Sequence, residues 1–205
     1  MRQILATTLL VLLAIGVVAC AAAPASPAAA EIKAPTVTLN RVEVAGYFPW
    51  PAPPPTPTPA PSVSTLNIPL VLSYVFDVTN PNASTVTLTS LKFASDFEAA
   101  PNEFFTLNSP IVADSMSIPG GATNQLRVAV VYNTAQVFTS LAVTSGARIK
   151  NLGLNPGDVI TKWWNAPSNP AATGFGYTVR ASQGTAEFKT DKGTTVVTFE
   201  GKFPK

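Results

Sequence analysis

The side chains of this chain that could do chemistry are one thiol and a small set of carboxylates. The 205 residues include 1 cysteine, 11 acidic residues and no histidine. Without an imidazole, histidine-based acid–base catalysis, Ser-His-Asp triads, Cys-His pairs and zinc sites of cysteine and histidine are excluded. The densest acidic group, Asp96, Glu98 and Glu103, lacks an ordered ligand spacing such as that of the EF-hand. The composition argues against an enzyme and predicts no metal and no cofactor.

The single cysteine follows an apolar N-terminal stretch. Residue 2 is arginine, residues 4–19 are apolar or small apart from two threonines, and Cys20 comes directly after Val17-Val18-Ala19. A charged start before an apolar run is typical of a signal peptide, and its end resembles the lipobox of bacterial lipoproteins. The resemblance implies that residues 1–19 are removed and that Cys20 carries acyl chains, which hold the protein at a membrane.

Two other fates of the N-terminus stay open. Small residues at 21–23 and 28–30 offer ordinary signal-peptidase sites, and residues 4–23 are long enough for an uncleaved membrane anchor. All three fates place the remainder outside the cytoplasm. We expect residues 20–35, rich in Ala and Pro, to be a flexible tether, followed by one domain over residues 36–205.

Charge is sparse along the whole chain. Only 12% of residues are charged, and the formal net charge is +2. The sequence contains no run of Lys and Arg, so the electrostatic signature of a nucleic-acid-binding protein is missing. Low charge with abundant Thr, Ser, Asn, Val and Pro favours an extracytoplasmic β-protein.

Alternation of apolar residues predicts an all-β fold. Residues 66–79 form the clearest strand, with an apolar side chain at every second position. Pro69 predicts that the start of this strand lies at a sheet edge or a bulge. Further strands are predicted at residues 36–48, 85–97, 126–132, 177–188 and 194–203, the last two as a hairpin, and residues 104–118 are expected to hold one or two short strands. Short strands separated by turns predict an antiparallel β-sandwich.

Two strands change the parity of their apolar residues. The first strand changes near Asn40 and the strand after residue 85 changes near Ser90, and such a shift predicts a β-bulge.

The middle of the chain predicts one or two short helices and a candidate partner contact. Asn133 and Asn155 are suited to cap helices, the second with Pro156 at the first helical position. Trp163 and Trp164 follow on that second helix, and neighbouring helical residues point about 100° apart. Either both indoles are covered within the fold, or one fills the core and the other is exposed, available to a partner protein or to the lipid interface.

A proline-rich loop covers residues 49–61, with Trp50 beside it. Prolines at this density favour polyproline II and cannot donate to a sheet. The segment is interpreted as a stiff loop between strands, with docking into the aromatic groove of a partner as the alternative and Trp50 as a candidate contact.

Three motifs together resemble a known family. They are Asn80-Pro81-Asn82 after an alternating strand, Val86-x-Leu88-x-x-Leu91-x-Phe93 next, and Ile118-Pro119-Gly120-Gly121 before another strand. The chain is similar in this respect to the late-embryogenesis-abundant group 2 family, also called the water-stress and hypersensitive-response domain. The resemblance covers residues 36–203 and implies an immunoglobulin- or fibronectin-like antiparallel β-sandwich. It also implies a non-enzymatic role in dehydration or stress tolerance.

A competing likeness is confined to one segment. Residues 153–160 read Gly-Leu-Asn-Pro-Gly-Asp-Val-Ile, which resembles a stretch of PDZ domains, although the surrounding strands do not supply the rest of a PDZ domain.

The function expected from these patterns is that of a lipid-anchored, non-catalytic protein of the cell envelope, either stress-protective or structural. The alternative is an accessory binding subunit of a membrane or envelope complex, for which the proline-rich loop and the tryptophan pair argue.

Overall fold

The apolar alternation builds an antiparallel β-sandwich with a few short helices, which confirms the predicted fold class. The computed structural model describes residues 32–48, 67–168 and 175–204. Cys20, Trp50, the proline-rich residues 49–61 and nearly all of the tether lie outside the described residues. The strands of the described ranges are β1 (Thr36–Tyr47), β2 (Pro69–Thr79), β3 (Val86–Ala100), β4 (Glu103–Asn108), β5 (Ile111–Val112), β6 (Met116–Ile118), β7 (Thr123–Asn133), β8 (Val179–Thr190) and β9 (Gly193–Phe203).

The strands form two sheets that face each other. The smaller sheet has the order β1-β2-β7, and the larger has the order β4-β3-β8-β9, with β5 and β6 also pairing with β3. Every one of these pairings is antiparallel. The predicted C-terminal hairpin is confirmed as β8 and β9.

The core lies between the sheets, where alternate residues of each strand meet. On β2 the buried row consists of Leu70, Leu72, Tyr74, Phe76 and Val78, as the alternation predicted. At its start, β2 pairs on one side only: Pro69 lies opposite Asn133 of β7, whereas the pairing with β1 ends at Leu70, next to a register shift between Val44 and Gly46. Proline is tolerated there since it is the first residue of the strand.

Both predicted bulges are present. The register of β1 against β2 shifts between Leu39 and Arg41, and that of β3 against β8 shifts between Leu88 and Ser90. A further irregularity, in β8 between Ala181 and Gly184, was not predicted.

Short helices fill the connection between β7 and β8. Asn133 caps α1 (Thr134–Thr139), and Asn155 caps α3 (Pro156–Asn165), with its side chain accepting from two backbone N–H groups. Both capped helices were predicted. A π-helical turn follows α1, and then comes α2 (Gly146–Asn151), which was not predicted. The segment that resembles PDZ domains forms the turn before α3 and its start.

Helix α3 closes one end of the sandwich with both of its tryptophans. Trp163 and Trp164 are each 0% exposed. The indole N–H of Trp163 donates to the backbone oxygen of Glu98 at 2.9 Å, and that of Trp164 to Ile68 at 3.2 Å. Of the two alternatives, burial of both indoles within the fold is therefore confirmed, and an exposed partner contact at either tryptophan is wrong.

Within the described ranges, no helix combines the length and apolar character needed to cross a bilayer.

Candidate functional site

The residues of the predicted family motif form hydrogen bonds between the loop after β2 and the turn between β6 and β7. Asn80, directly after β2, is 0% exposed. Its amide nitrogen lies within hydrogen-bond distance of the backbone oxygens of Ser84 (2.7 Å), Ile118 (3.0 Å) and Pro119 (3.2 Å). Its backbone N–H donates to Ala122 at 2.9 Å. Asn80 therefore fastens the end of β2 to the turn between β6 and β7.

Asn82 continues the same network across the exposed Pro81. The side-chain oxygen of Asn80 accepts from both the backbone and the amide nitrogen of Asn82, each at 3.0 Å. The backbone oxygen of Asn82 accepts from Gly121 at 2.9 Å. At Gly120 a Cβ would stand only 2.1 Å from the backbone oxygen of Ala83, so no larger residue fits. We call Asn80, Asn82 and Pro119–Gly121 the Asn-Pro-Asn clasp.

The clasp also holds the segment that leads into β1. The backbone N–H of Lys33 donates to the side-chain oxygen of Asn82 at 2.8 Å, and the amide nitrogen of Asn82 donates back to the Lys33 oxygen at 2.9 Å. Lys33 lies inside the predicted tether. One asparagine thus connects the last part of the tether to the core of the sandwich, a contact that sequence reasoning missed.

The acidic group of the sequence is engaged in structural contacts, beginning with Asp96. This carboxylate is 1% exposed and accepts from Thr106 at 2.7 Å, Ser182 at 2.6 Å and the guanidinium of Arg180 at 2.9 Å. Arg180 also stacks over the ring of Phe104 at 4.3 Å. A buried carboxylate is tolerated because it is paired and hydrogen-bonded in this way.

Glu98 and Glu103 have partners of their own. The Glu98 carboxylate accepts from the backbone N–H groups of Thr178 (3.1 Å) and Asn102 (2.9 Å). Hydrogen bonds from Thr178, and then the one from Asn102, lower the pKa of Glu98. Glu103 pairs with Arg148. In the part of the chain that the structure describes, no three His, Cys, Asp or Glu side chains are grouped closely enough to hold a metal ion.

Three hydroxyl groups meet in the core between the sheets. Ser95 bonds to the phenol oxygens of both Tyr74 and Tyr132, which are 3.0 Å from each other. The nearby Tyr177 hydroxyl is buried without a hydrogen-bond partner among the described residues. Burial raises the pKa of all three phenols, so they stay neutral and contribute structure rather than reactivity.

The unpredicted irregularity in β8 is a bulge on the outer face of the larger sheet. Against β9, Ser182 and Gln183 together lie opposite Glu200, and against β3, Gln183 and Gly184 together lie opposite Phe93. Gln183 has a φ of +51°, which is unusual for a residue with a side chain. At Gly184 a Cβ would lie 2.5 Å from the ring of Phe199, so a larger residue there would require that ring to shift.

Two hollows flank Gln183 on this face, and we call them together the bulge cleft. The first, of 590 Å³, is lined by Thr185, Thr198, Phe199 and Glu200, and the second, of 340 Å³, by Lys92, Phe93, Ser109 and Thr185. Gln183 lines both. The sequence did carry a signal for the bulge, because the buried residues of β8 change parity between Ala181 and Gly184, as they do at the bulges in β1 and β3.

The structure therefore brings Asn80, Asn82, Pro119 and Gly120 together and buries Trp163 and Trp164 far along the chain from them. Neither indole is available as the exposed partner contact that was predicted.

Comparison with known proteins gives structural likenesses alone. No protein-family model matches the chain, and no curated protein matches it significantly. The chain is similar to a protein from Archaeoglobus fulgidus of known crystal structure, with a TM-score of 0.39 and 6% identity over 84% of this chain and 94% of that one. It is also similar to an X-ray structure described as a target of the Northeast Structural Genomics Consortium, with a TM-score of 0.40 and 10% identity over 83% of this chain and 87% of that one.

Proposed function

We propose that this chain is a lipid-anchored, non-catalytic β-sandwich of the cell envelope, related to the late-embryogenesis-abundant group 2 family, with a protective or structural role outside the cytoplasm. The observation that carries the proposal is the pair of hydrogen bonds between Asn82 and Lys33. Through them the Asn-Pro-Asn motif binds the segment that leads from Cys20 into the domain.

This contact has a physical consequence for an anchored domain. With acyl chains on Cys20 and the backbone of Lys33 fixed on the domain, the free tether spans at most about 45 Å when fully extended. A pulling force on the tether would act on the hydrogen bonds between Asn82 and Lys33 before it acted on the backbone hydrogen bonds between β1 and β2. The clasp would then protect the edge strand of the smaller sheet from being pulled away.

The state of the polar side chains supports a non-catalytic role. The chain has no histidine, and the carboxylates of its densest acidic group are held by Arg180, Thr178 and Arg148. Exposed strand positions carry hydroxyl groups, among them those of Thr38, Thr123 and Thr198. Such groups hydrogen-bond to water or sugars, which suits a protein that protects an envelope during drying.

Three measurements test the proposal. Intact mass of the protein extracted from membranes should show acyl groups on a chain beginning at Cys20, and Cys20→Ala should release the domain from the membrane fraction. Deletion of the gene should reduce survival of drying, salt or freezing. An unmodified mass for a chain that begins further along would refute the anchor, and unchanged tolerance to all three stresses would refute the protective role.

A second candidate is an accessory binding subunit of an envelope complex. Its support is an exposed apolar group at one end of the smaller sheet, where Phe48 is 59% and Val131 57% exposed. Val131 of β7 pairs with Val71 of β2. A photo-crosslinking residue at Val131 should capture one reproducible protein in intact membranes. The same residue at Val196, which is 62% exposed on the other sheet, should not, and equal capture at both positions would count against a specific partner.

A further inference from the structure

Among the described strands, β7 is an edge strand without the usual protection against pairing with another strand. On one side of the sandwich β1 and β9 lie against each other, since a Cβ at Gly201 would stand 2.4 Å from that of Leu39. On the other side, the edge of the larger sheet is broken into β4, β5 and β6, with Pro110 between the first two. By contrast, β7 pairs with β2 without any register shift and contains no proline, no glycine and one charge, Arg127. Bulges, prolines and charges are the devices that protect natural sheet edges.

The backbone groups of every second β7 residue face away from β2. Just before the strand, the oxygen of Ala122 accepts from the N–H of Asn80, so even-numbered positions bond to β2 and odd-numbered positions point outward. The side chains at residues 123, 125, 127, 129 and 131 are exposed. At residues 123, 125, 127 and 129 the outward backbone groups have no hydrogen-bond partner among the described residues. We call residues 123–129 the open stretch.

Two hydrogen bonds set the limits of the open stretch. The amide nitrogen of Asn108, at the end of β4, donates to the backbone oxygen of Val131 at 3.4 Å, and that of Asn124 donates to the oxygen of Ser117 in β6 at 3.1 Å. The edge of the larger sheet therefore runs beside β7 between these two points. Ile111 of β5 lies in this interval and is 71% exposed, so an apolar side chain stands next to the open stretch.

The open stretch is complementary to a second copy of itself. Antiparallel pairing about residue 126 places Gln125 opposite Arg127 of the second copy, and Thr123 opposite Ala129 of the second copy. The amide nitrogen of Gln125 donates to Asp77 at 3.0 Å, while its amide oxygen has no partner among the described residues. That oxygen can accept from the guanidinium of the second copy. In this register no like charges lie opposite each other.

We propose that two copies of this chain associate through their open stretches, antiparallel about residue 126, so that their smaller sheets join into one continuous sheet. Strands that differ from β7 could also satisfy the outward backbone groups. A second copy adds the pairing of Gln125 with Arg127 and brings the two Ile111 side chains toward each other beneath the joined sheet. The inference goes beyond the proposed function and does not depend on lipidation of Cys20.

The first experiment measures the mass of the full chain in detergent by light scattering. The wild type should be a dimer, and Ala129→Pro should raise its dissociation constant at least about tenfold, because it removes an outward N–H. Proline is tolerated on an edge strand where the N–H faces solvent, and circular dichroism checks the fold. Ala129→Val keeps the N–H and should stay dimeric. A wild type that is monomeric at about 100 µM, or a folded Ala129→Pro that dimerises like Ala129→Val, would overturn the proposal.

The second experiment tests the register without a proline. In a Cys20→Ser background, chains with Thr123→Cys and chains with Ala129→Cys are co-expressed, and intact membranes are treated with a short bifunctional maleimide. The pair should give crosslinked dimers, whereas either variant alone should not, because equal positions lie about 20 Å apart in this register. Crosslinking of either variant alone as efficient as that of the pair would overturn the proposal, as would capture of a different protein in place of the second copy.

Discussion

At the scale of single residues, the buried tyrosine hydroxyl groups of the core differ in whether they have hydrogen-bond partners. The hydroxyl groups of Tyr74, Ser95 and Tyr132 satisfy one another between the sheets. Tyr177 is buried in the same aromatic region, with its ring 5.4 Å from that of Phe97, but its hydroxyl has no partner among the described residues. A buried unpaired hydroxyl lowers stability, whereas a paired one contributes to it.

The two situations predict opposite effects of the same substitution. Tyr132→Phe should lower the free energy of unfolding by about 1 kcal/mol, since it removes one of three hydroxyl groups that are hydrogen-bonded to one another. Tyr177→Phe should leave the free energy unchanged or raise it by about 1 kcal/mol, because it removes an unsatisfied group. Urea unfolding of the two variants beside the wild type measures both. Equal losses in the two variants would mean that the Tyr177 hydroxyl is paired in solution.

Glu98 predicts a pH dependence of stability. Its pKa is lower in the folded chain than the usual value of 4.5, so its charged form is favoured by folding. The resulting stabilisation is complete above pH 4.5 and is lost as the pH falls through the lowered pKa. Between pH 7 and pH 3 the wild type should lose more stability than Glu98→Gln, as measured by urea unfolding. Asp114→Asn, an exposed charge-matched control, should keep the wild-type slope.

At the scale of elements, the Asn-Pro-Asn clasp makes one unit of the end of β2 and the turn before β7. Backbone groups in the turn are bonded to Asn80 and Asn82, and Gly120 lets the two loops touch. Neighbouring glycines in this turn have different roles, since Gly121 has a φ of +70° but nothing near the position of a Cβ.

Alanine at these two positions should have unequal effects. Gly120→Ala forces a methyl group into the backbone of Ala83, and we expect a loss of about 3 kcal/mol or more. Gly121→Ala costs only the strain of a left-handed alanine, about 1 kcal/mol. Thermal or urea unfolding of both variants distinguishes the roles. A larger loss at Gly121 would contradict the close approach at Gly120.

The positions of bulges and helices were predictable where neighbouring residues in the sequence determine them. Parity changes located the bulges in β1 and β3, and the asparagine caps located α1 and α3, because both signals are read from adjacent residues. Helix α2 begins at Gly146 without a side-chain cap, so it had no local signal and depends on packing. Burial of both tryptophans was only one of two alternatives at the level of the sequence, because it depends on where α3 packs in the folded chain.

At the scale of the whole molecule, the candidate sites combine residues that are distant in the chain. The motif residues were identified from the sequence, yet their contact between Asn80 and Pro119 exists only because β2 and β7 pair in one register. The bulge cleft collects side chains from three strands. Lys33 belongs to a segment without periodicity, so nothing in its neighbours indicated a partner 49 residues away.

The attachment of Lys33 yields a prediction for the intact molecule. Trypsin can cleave after Lys33 only when the backbone around this residue is detached from the domain. The side chain of Asn82 is hydrogen-bonded to both the N–H and the oxygen of Lys33. Asn82→Ala should therefore raise the rate of cleavage after Lys33 about tenfold, the effect of losing about 1.4 kcal/mol of local stability. Cleavage after Lys192, in the turn between β8 and β9, should keep its rate, and mass spectrometry of the fragments resolves the two sites. As a control, Asn124→Ala removes a hydrogen bond to Ser117 beside the turn between β6 and β7 without affecting Lys33, and this variant should be cleaved like the wild type. If Asn82→Ala accelerates both sites equally, the substitution has loosened the whole sandwich, and the clasp is not the local link between tether and core.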